Sequence, residues 1–358
     1  MNIVILGAGL MGRLLACELA RAGHQLELFD AGGPEALNSA ARAAAAMLAP
    51  LAESAVAEDP VVKMGVYGLG RWPALIAQLD EPVFFQQQGT MVVWHRQDVA
   101  EATRFSRQLD ATAQRLPTLP IAQPLDASGI ARLEPCLAAH FSQGLYLPGE
   151  GQLDNHQLLA ATLHQLQRLQ VTIHWNSPRV LSDFSPGQPG QPHWVFDCRG
   201  LGAHPQWSAL RGVRGEIITL LAPHVKLSRP TRLLHPRYPI YIAPKQDGYF
   251  LVGATEIESD DLSPMSVRSA LELLGAAYTV DSGFAEARIV ELVAQCRPAL
   301  PDNLPCIRQL GPRVMQINGL YRHGYLMAPA LLDVALELFE TGASPLANDF
   351  ALSIHQLP

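Results

Sequence analysis

The chain has 358 residues, which at roughly 100 to 200 residues per domain predicts about two domains, each with its own core and no need of disulfide staples. Apolar residues make up 48% and charged residues 16%, below the roughly 25% charged that is usual, so the composition excludes a disordered chain. Lys and Arg number 26 against 33 Asp and Glu, a net charge of -7; this offers no footprint for nucleic acid or an anionic membrane and leaves a small molecule as the expected partner.

The N-terminal run MNIVILGAGLMG has no basic leader before it and no small-residue cleavage site after it, so it predicts a first strand at Asn2 to Leu6 and no export signal. Leu14, Leu15, Leu19 and Ala22 recur near helical spacing, Gly23 stops the helix, and HQLELFD alternates with Leu26 and Leu28 inward before ending on Asp30. A helical crossover makes these two strands parallel. The Ala-rich tract from Ala40 to Ala49 is interrupted by Arg42 and stopped by Pro50, far short of the roughly 20 apolar residues of a membrane span.

Leu159, Leu163, Leu166 and Leu169 predict a helix over Asp154 to Gln170, feeding the strand VTIHW in a second passage of the same sheet. SPGQPGQP, from Ser185 to Pro192, lies between the strand-like runs RVLSDF and HWVFDCRG and reads as a hairpin turn. From Arg214 to Gly253 the runs EIITLL, YPIYIAP and GYFLVGAT predict an antiparallel sheet belonging to a second domain. Ser266 to Tyr278 returns to helical periodicity, and GLYRHGYLMAPALLDVALELFE closes the chain as a turn entering an apolar helix near Tyr325, with Pro329 expected in its first turn. Five cysteines (Cys17, Cys136, Cys198, Cys296, Cys306) show no CxxC pair, and no His cluster has zinc spacing; reduced thiols, a cytoplasmic location and no metal are expected.

Gly7, Gly9 and Gly12 form G-x-G-x-x-G between the first strand and its helix, and Asp30 ends the second strand. The first glycine permits the tight turn, the second lets backbone approach a pyrophosphate, and the third lets helix pack on strand, while free amides of the helix start face the phosphates. Asp30 is then an acceptor for ribose hydroxyls. This predicts a dinucleotide site without choosing between NAD and FAD.

Further motifs follow: SAARAAAAMLAP, GEGQLD near Gln152, DCRGLGA, LRGVRGEII, YIAPKQDGYFLVGATE, RPALPDNLP and GLYRHGYLMAP. In this order, over essentially the whole length, they resemble the D-amino acid oxidase family of flavoproteins, most closely the bacterial glycine oxidases of thiamin biosynthesis. The resemblance implies FAD, a Rossmann-type α/β domain with a parallel sheet (1–85, 146–215 and 288–358), and an α+β substrate domain with a mainly antiparallel sheet (86–145 and 216–287). It implies flavin contacts at Gly7, Gly9, Leu10, Met11, Gly12 and Asp30, at Ala45, Ala46 and Met47, at Val180, and along the turn Leu320, Tyr321, Arg322, His323, Gly324, Tyr325 and Leu326. Relatives commonly read AAGML where this chain reads AAAML, so Ala46 stands where a glycine is usual.

Arg297 lies among apolar residues in LVAQCRPALP, and its planar pair of donors suits a carboxylate. The resemblance places the substrate-carboxylate arginine there, with a structural ion pair as the alternative. Tyr241 would set a phenol against the same carboxylate, and Arg322 would line the site from the flavin side. The helix start after Arg322 and His323 would stabilise a reduced flavin. No histidine is assigned as a base, because hydride transfer from an uncharged amine to flavin N5 needs none. Cys296, beside Arg297, reads as an inert thiol. The expected activity is oxidation of glycine or another small amino acid, with dioxygen as acceptor. The alternatives are a dehydrogenase with another electron acceptor, or a flavin-binding module of a complex.

Overall fold

The structure, a computed structural model, describes residues 1–237 and 239–357. Strand β1 (Asn2–Leu6), helix α1 (Leu10–Arg21) and strand β2 (Gln25–Phe29) form the predicted unit, with β1 and β2 parallel and Ile3 opposite Leu26. Thr172–His174 extends the sheet beyond β2, also parallel. On the other side lie Trp194–Asp197 and Val314–Asn318, then Cys306–Leu310 and Ser353–Leu357 at the far edge, seven strands in all. Only the Cys306–Leu310 and Val314–Asn318 pair is antiparallel. Its core joins Ile3, Ile5, Leu15, Leu28 and Phe196 to the closing helix Gly324–Thr341 through Leu331 and Val334.

The run RVLSDF is not a strand, which corrects the hairpin reading. Trp194–Asp197 pairs in parallel with β1 on one side and Val314–Asn318 on the other, so no edge is left for a hairpin partner. Leu181–Asp183 forms a short 3-10 turn instead, closed by the Val180 N–H donating to Asp183 Oδ2 at 3.0 Å.

The second large sheet has eight strands in the order Arg288–Ala299, Arg211–Leu221, Tyr249–Gly253, Ile240–Pro244, Thr231–Leu234, Thr90–Trp94, Gln143–Leu147 and Gln123–Asp126. All neighbours are antiparallel except Thr231–Leu234 with Thr90–Trp94. The boundaries expected at 215/216 and 287/288 fall within or at the start of the two longest strands, Arg211–Leu221 and Arg288–Ala299, which pair along their length. Strand alternation gives this sheet two faces. Ile218, Ile242 and Val252 pack with Leu273 and Ala277 of the predicted helix Val267–Val280. Ile217, Ala243 and Leu251 face the other way, toward Ala45. A small sheet of Met47–Leu48, Gly151–Leu153 and Phe85–Gln86 adjoins that loop.

Helix Gly324–Thr341 packs on helix Asp59–Ile76 where Gly68 lies under the Leu326 carbonyl. Pro329 is the sixth residue of the helix, not part of its first turn as expected. Lacking an N–H, it leaves the Tyr325 carbonyl free, and the buried Trp72 indole donates to that oxygen at 2.9 Å. No described helix is long and apolar enough to cross a membrane.

Because a Cβ at Gly68 would collide with backbone, Gly68→Ala is expected to cost about 1 to 3 kcal/mol. The measurement is the urea midpoint, which should fall with an unchanged slope.

Candidate active site

The two large sheets enclose a cavity of about 800 Å³. At its nucleotide end Gly7 has φ +93°, and a Cβ there would sit 2.7 Å from the Cys198 carbonyl oxygen. Gly9, the residue before α1, makes no side-chain cap, so the first-turn amides of α1 stay free beside Leu10 and Met11 at the cavity wall. Gly12 is the one residue of the expected set that does not line the cavity. It lies beneath, where any Cβ would strike the Gly7 carbonyl, which is the packing role foreseen for the third glycine. Asp30 accepts from the Ala8 N–H at 2.6 Å and the Gly32 N–H at 2.7 Å, and Val180 lines the same end.

The middle is walled by Ala45, Ala46 and Met47 on one side and Leu320 to Leu326 on the other. Ala46 has φ +51°, the left-handed region that favours glycine. Lys245 donates to the Ala45 carbonyl at 2.9 Å, to the Leu153 carbonyl at 2.7 Å and to Gln152 Oε1 at 3.2 Å, tying this loop to the eight-stranded sheet. Burial pushes its ammonium down to about 7. Opposite, Gly324–Thr341 begins without a side-chain cap, so its free amides also point at the cavity. A long dinucleotide such as FAD fits this lining: bare glycine backbone at one end and a helix start at each flank.

The far end of the cavity rests on the eight-stranded sheet. A Cβ at Gly253 would lie 2.6 Å from the Tyr241 hydroxyl, and one at Gly215 would strike the Arg297 guanidinium. Both side chains therefore lie flat over glycine hollows. Among the described residues Arg297 makes one hydrogen bond, to the Thr255 carbonyl at 3.1 Å, and has no carboxylate in ion-pair contact. Burial raises the Tyr241 phenol, although Arg297 and Arg232 pull it down; it stays protonated.

Arg322 lines the cavity but is already engaged, donating to Glu256 at 3.0 Å and Glu53 at 3.1 Å. Glu53 also accepts from Arg232 Nη2 at 2.6 Å and lies 3.5 Å from His323 Nδ1. Burial alone would raise Glu53, yet Arg322 and Arg232 hold it well below the usual range. Burial pushes His323 down to about 4, leaving it neutral. Two arginines thus face two carboxylates, and Arg297 adds one uncompensated positive charge. Cys296 is buried with its thiol raised by desolvation, consistent with an inert role.

Sequence reading missed Glu53, Arg232 and Lys245. Arg232 alternates with buried Thr231 and Leu233, a pattern identical for a solvent face and a cavity face. Behind Arg232, buried Glu150 accepts the Ala52 N–H at 2.6 Å through Oε1, while Oε2 has no partner among the described residues. Burial pushes its carboxyl up to about 7.

The family described as DAO, FAD dependent oxidoreductase, matches residues 2–335. A candidate thiamine biosynthesis oxidoreductase, ThiO, of Rhizobium etli is 40% identical over 349 residues, covering 96% of this chain and 98% of that relative. Glycine oxidase from Geobacillus kaustophilus superposes with a TM-score of 0.80 at 23% identity, over 96% of this chain and 95% of that one. Iminodiacetate oxidase from Chelativorans sp. BNC1 gives 0.81 at 22% identity, over 99% and 100%. At these identities the two structures speak for the fold.

Glu150 is protonated in the folded state between its ordinary value of 4.5 and about 7, while the unfolded chain is ionised, so its contribution makes stability fall as pH rises through that window. Glu150→Gln should remove on the order of 3 kcal/mol of that fall, read by urea unfolding at pH 5 and pH 8. At Ala46, relief of a left-handed alanine, about 1 kcal/mol, roughly offsets loss of a buried methyl, about 0.8 kcal/mol. Ala46→Gly should therefore leave the melting temperature nearly unchanged, whereas the β-branched Ala46→Val should lower it by several degrees.

Proposed function

Because the chain belongs to the DAO family of FAD-dependent oxidoreductases, we propose that it oxidises the amine of a small amino acid, glycine foremost, to the imine. Bound FAD would supply the two-electron acceptor: it would take the α-hydride while the amine nitrogen releases a proton, and the hydride and a proton would pass on to dioxygen as hydrogen peroxide. Gly7, Gly9, Leu10 and Met11 would hold the diphosphate, Asp30 the ribose, and Ala45 to Met47, Val180 and Leu320 to Leu326 the rest of the cofactor.

The observation that carries this reading is the unpaired Arg297 guanidinium on the cavity floor. A bidentate carboxylate is its natural complement, and the protonated Tyr241 adds a donor from the neighbouring hollow. Charge balance supports the reactive form of the substrate. A site with one uncompensated positive charge favours a ligand of one negative charge, which for an amino acid means a carboxylate with an uncharged amine. That is the state from which hydride can leave, so neutral His323 is not required as a base. Arg322, held between Glu53 and Glu256, shapes the wall without offering a free charge. The five free cysteines fit the reducing cytoplasm.

The test is anaerobic titration of the holoenzyme with glycine, sarcosine and D-alanine, followed by air. Bleaching of the flavin and then peroxide are expected; a flavin that no amino acid reduces would reject the reading. Arg297→Ala should lower kcat/KM for glycine by about 2 to 4 kcal/mol, mainly through KM.

A further inference from the structure

We propose that Glu216 and Thr255 are positioning residues for the carboxylate-binding arginine: Glu216 clamps Thr255, and the Thr255 carbonyl aims Arg297. The inference rests on the amino-acid reading above.

An arginine side chain carries about 2 kcal/mol of rotamer entropy, and among the described residues no carboxylate pairs with Arg297. Its one acceptor among them is the Thr255 carbonyl, 3.1 Å from Nη1. A neutral acceptor orients the guanidinium without cancelling its charge, which is left for the ligand. Thr255 lies just past the strand Tyr249–Gly253, where the regular ladder has ended. Two residues on, Ile257 and Arg214 exchange backbone bonds at 2.8 and 3.0 Å, and Thr255 itself is held by Glu216 through three bonds. The Thr255 N–H donates to the Glu216 carbonyl at 3.3 Å, the Glu216 N–H donates to Thr255 Oγ1 at 2.9 Å, and that hydroxyl donates to Glu216 Oε2 at 3.0 Å.

Glu216 is itself fixed. Its Oε1 accepts from Arg214 Nη2 at 2.7 Å and Nε at 3.2 Å, and Arg214 also donates to the Asp261 carbonyl at 2.6 Å and the Pro264 carbonyl at 3.1 Å. Glu216 is 1% exposed and Arg214 5%. A buried ion pair of this kind gains little stability over apolar side chains of equal volume. What it supplies is direction, since the carboxylate can accept from Arg214 and from the Thr255 hydroxyl at once. The next residue, Glu256, is the partner of Arg322, so one clamp places both the floor and the wall of the substrate end.

The experiment measures acetate binding to the holoenzyme, read by the shift of the flavin spectrum, for the wild type, Thr255→Val, Thr255→Ser, Arg297→Lys and the double variant Thr255→Val with Arg297→Lys. Thr255→Val should weaken acetate about tenfold and raise KM for glycine by a similar factor, with kcat within about twofold. Thr255→Ser should restore wild-type values, and in the Arg297→Lys background Thr255→Val should add less than twofold, the non-additivity expected of a residue acting through another. Wild-type affinity in Thr255→Val, or an undiminished effect in the Arg297→Lys background, overturns the inference while leaving the amino-acid reading intact. If Thr255→Val does not fold, Glu216→Gln carries the same comparison with the same outcomes. A wild-type enzyme that neither binds acetate nor is reduced by any amino acid overturns the underlying reading itself.

Discussion

A half-buried guanidinium with no ion-pair partner among the described residues is costly to maintain, and much of one end of the cavity is arranged around Arg297. The side chain has room because Gly215 lacks a Cβ, and Tyr241 has room because Gly253 lacks one. Nearby positive charges are matched: Arg322 and Arg232 share Glu53, and Arg322 reaches Glu256 as well. With those neutralised, Arg297 is the charge left for a ligand. A carboxylate in place of the Thr255 carbonyl would have anchored it more firmly and cancelled its charge.

The cofactor end follows a different economy, in which backbone does what side chains do at the substrate end. Two helices start at the cavity without side-chain caps, α1 and Gly324–Thr341, so their first amides remain available to an anionic ligand. The glycines of the first turn keep the chain close enough for that to matter. Gly68 beneath the Leu326 carbonyl and the Trp72 indole on the Tyr325 carbonyl fix the start of Gly324–Thr341 against helix Asp59–Ile76. Lys245 then joins the Ala45 loop to the eight-stranded sheet.

Local patterns made much of this visible. Apolar periodicity located β1, α1, β2, the helices Asn155–Arg168 and Val267–Val280, and the antiparallel strands, because each buries a face whose spacing is written along the chain. The glycine fingerprint located the turn between β1 and α1 for the same reason: Gly7, Gly9 and Gly12 act through their own backbone. The failed expectations have a common cause. The hairpin at SPGQPGQP was excluded by neighbours on both sides of Trp194–Asp197 that lie far away in sequence. Pro329 is tolerated inside its helix because Trp72, from another helix, takes the carbonyl it leaves free.

The sequence by itself determined the opening β1–α1–β2 unit with its glycine turn, the presence of an antiparallel second sheet and, through Arg297 and Tyr241, two side chains that line the cavity. Only the tertiary structure decided which charges cancel. Glu53, Arg232 and Arg322 are separated by 179 and 90 positions along the chain, and a period-two pattern such as that around Arg232 reads the same whether the polar face meets bulk water or an enclosed cavity. Charge pairing depends on distances of a few ångströms between side chains brought together by folding, and no local spacing encodes them.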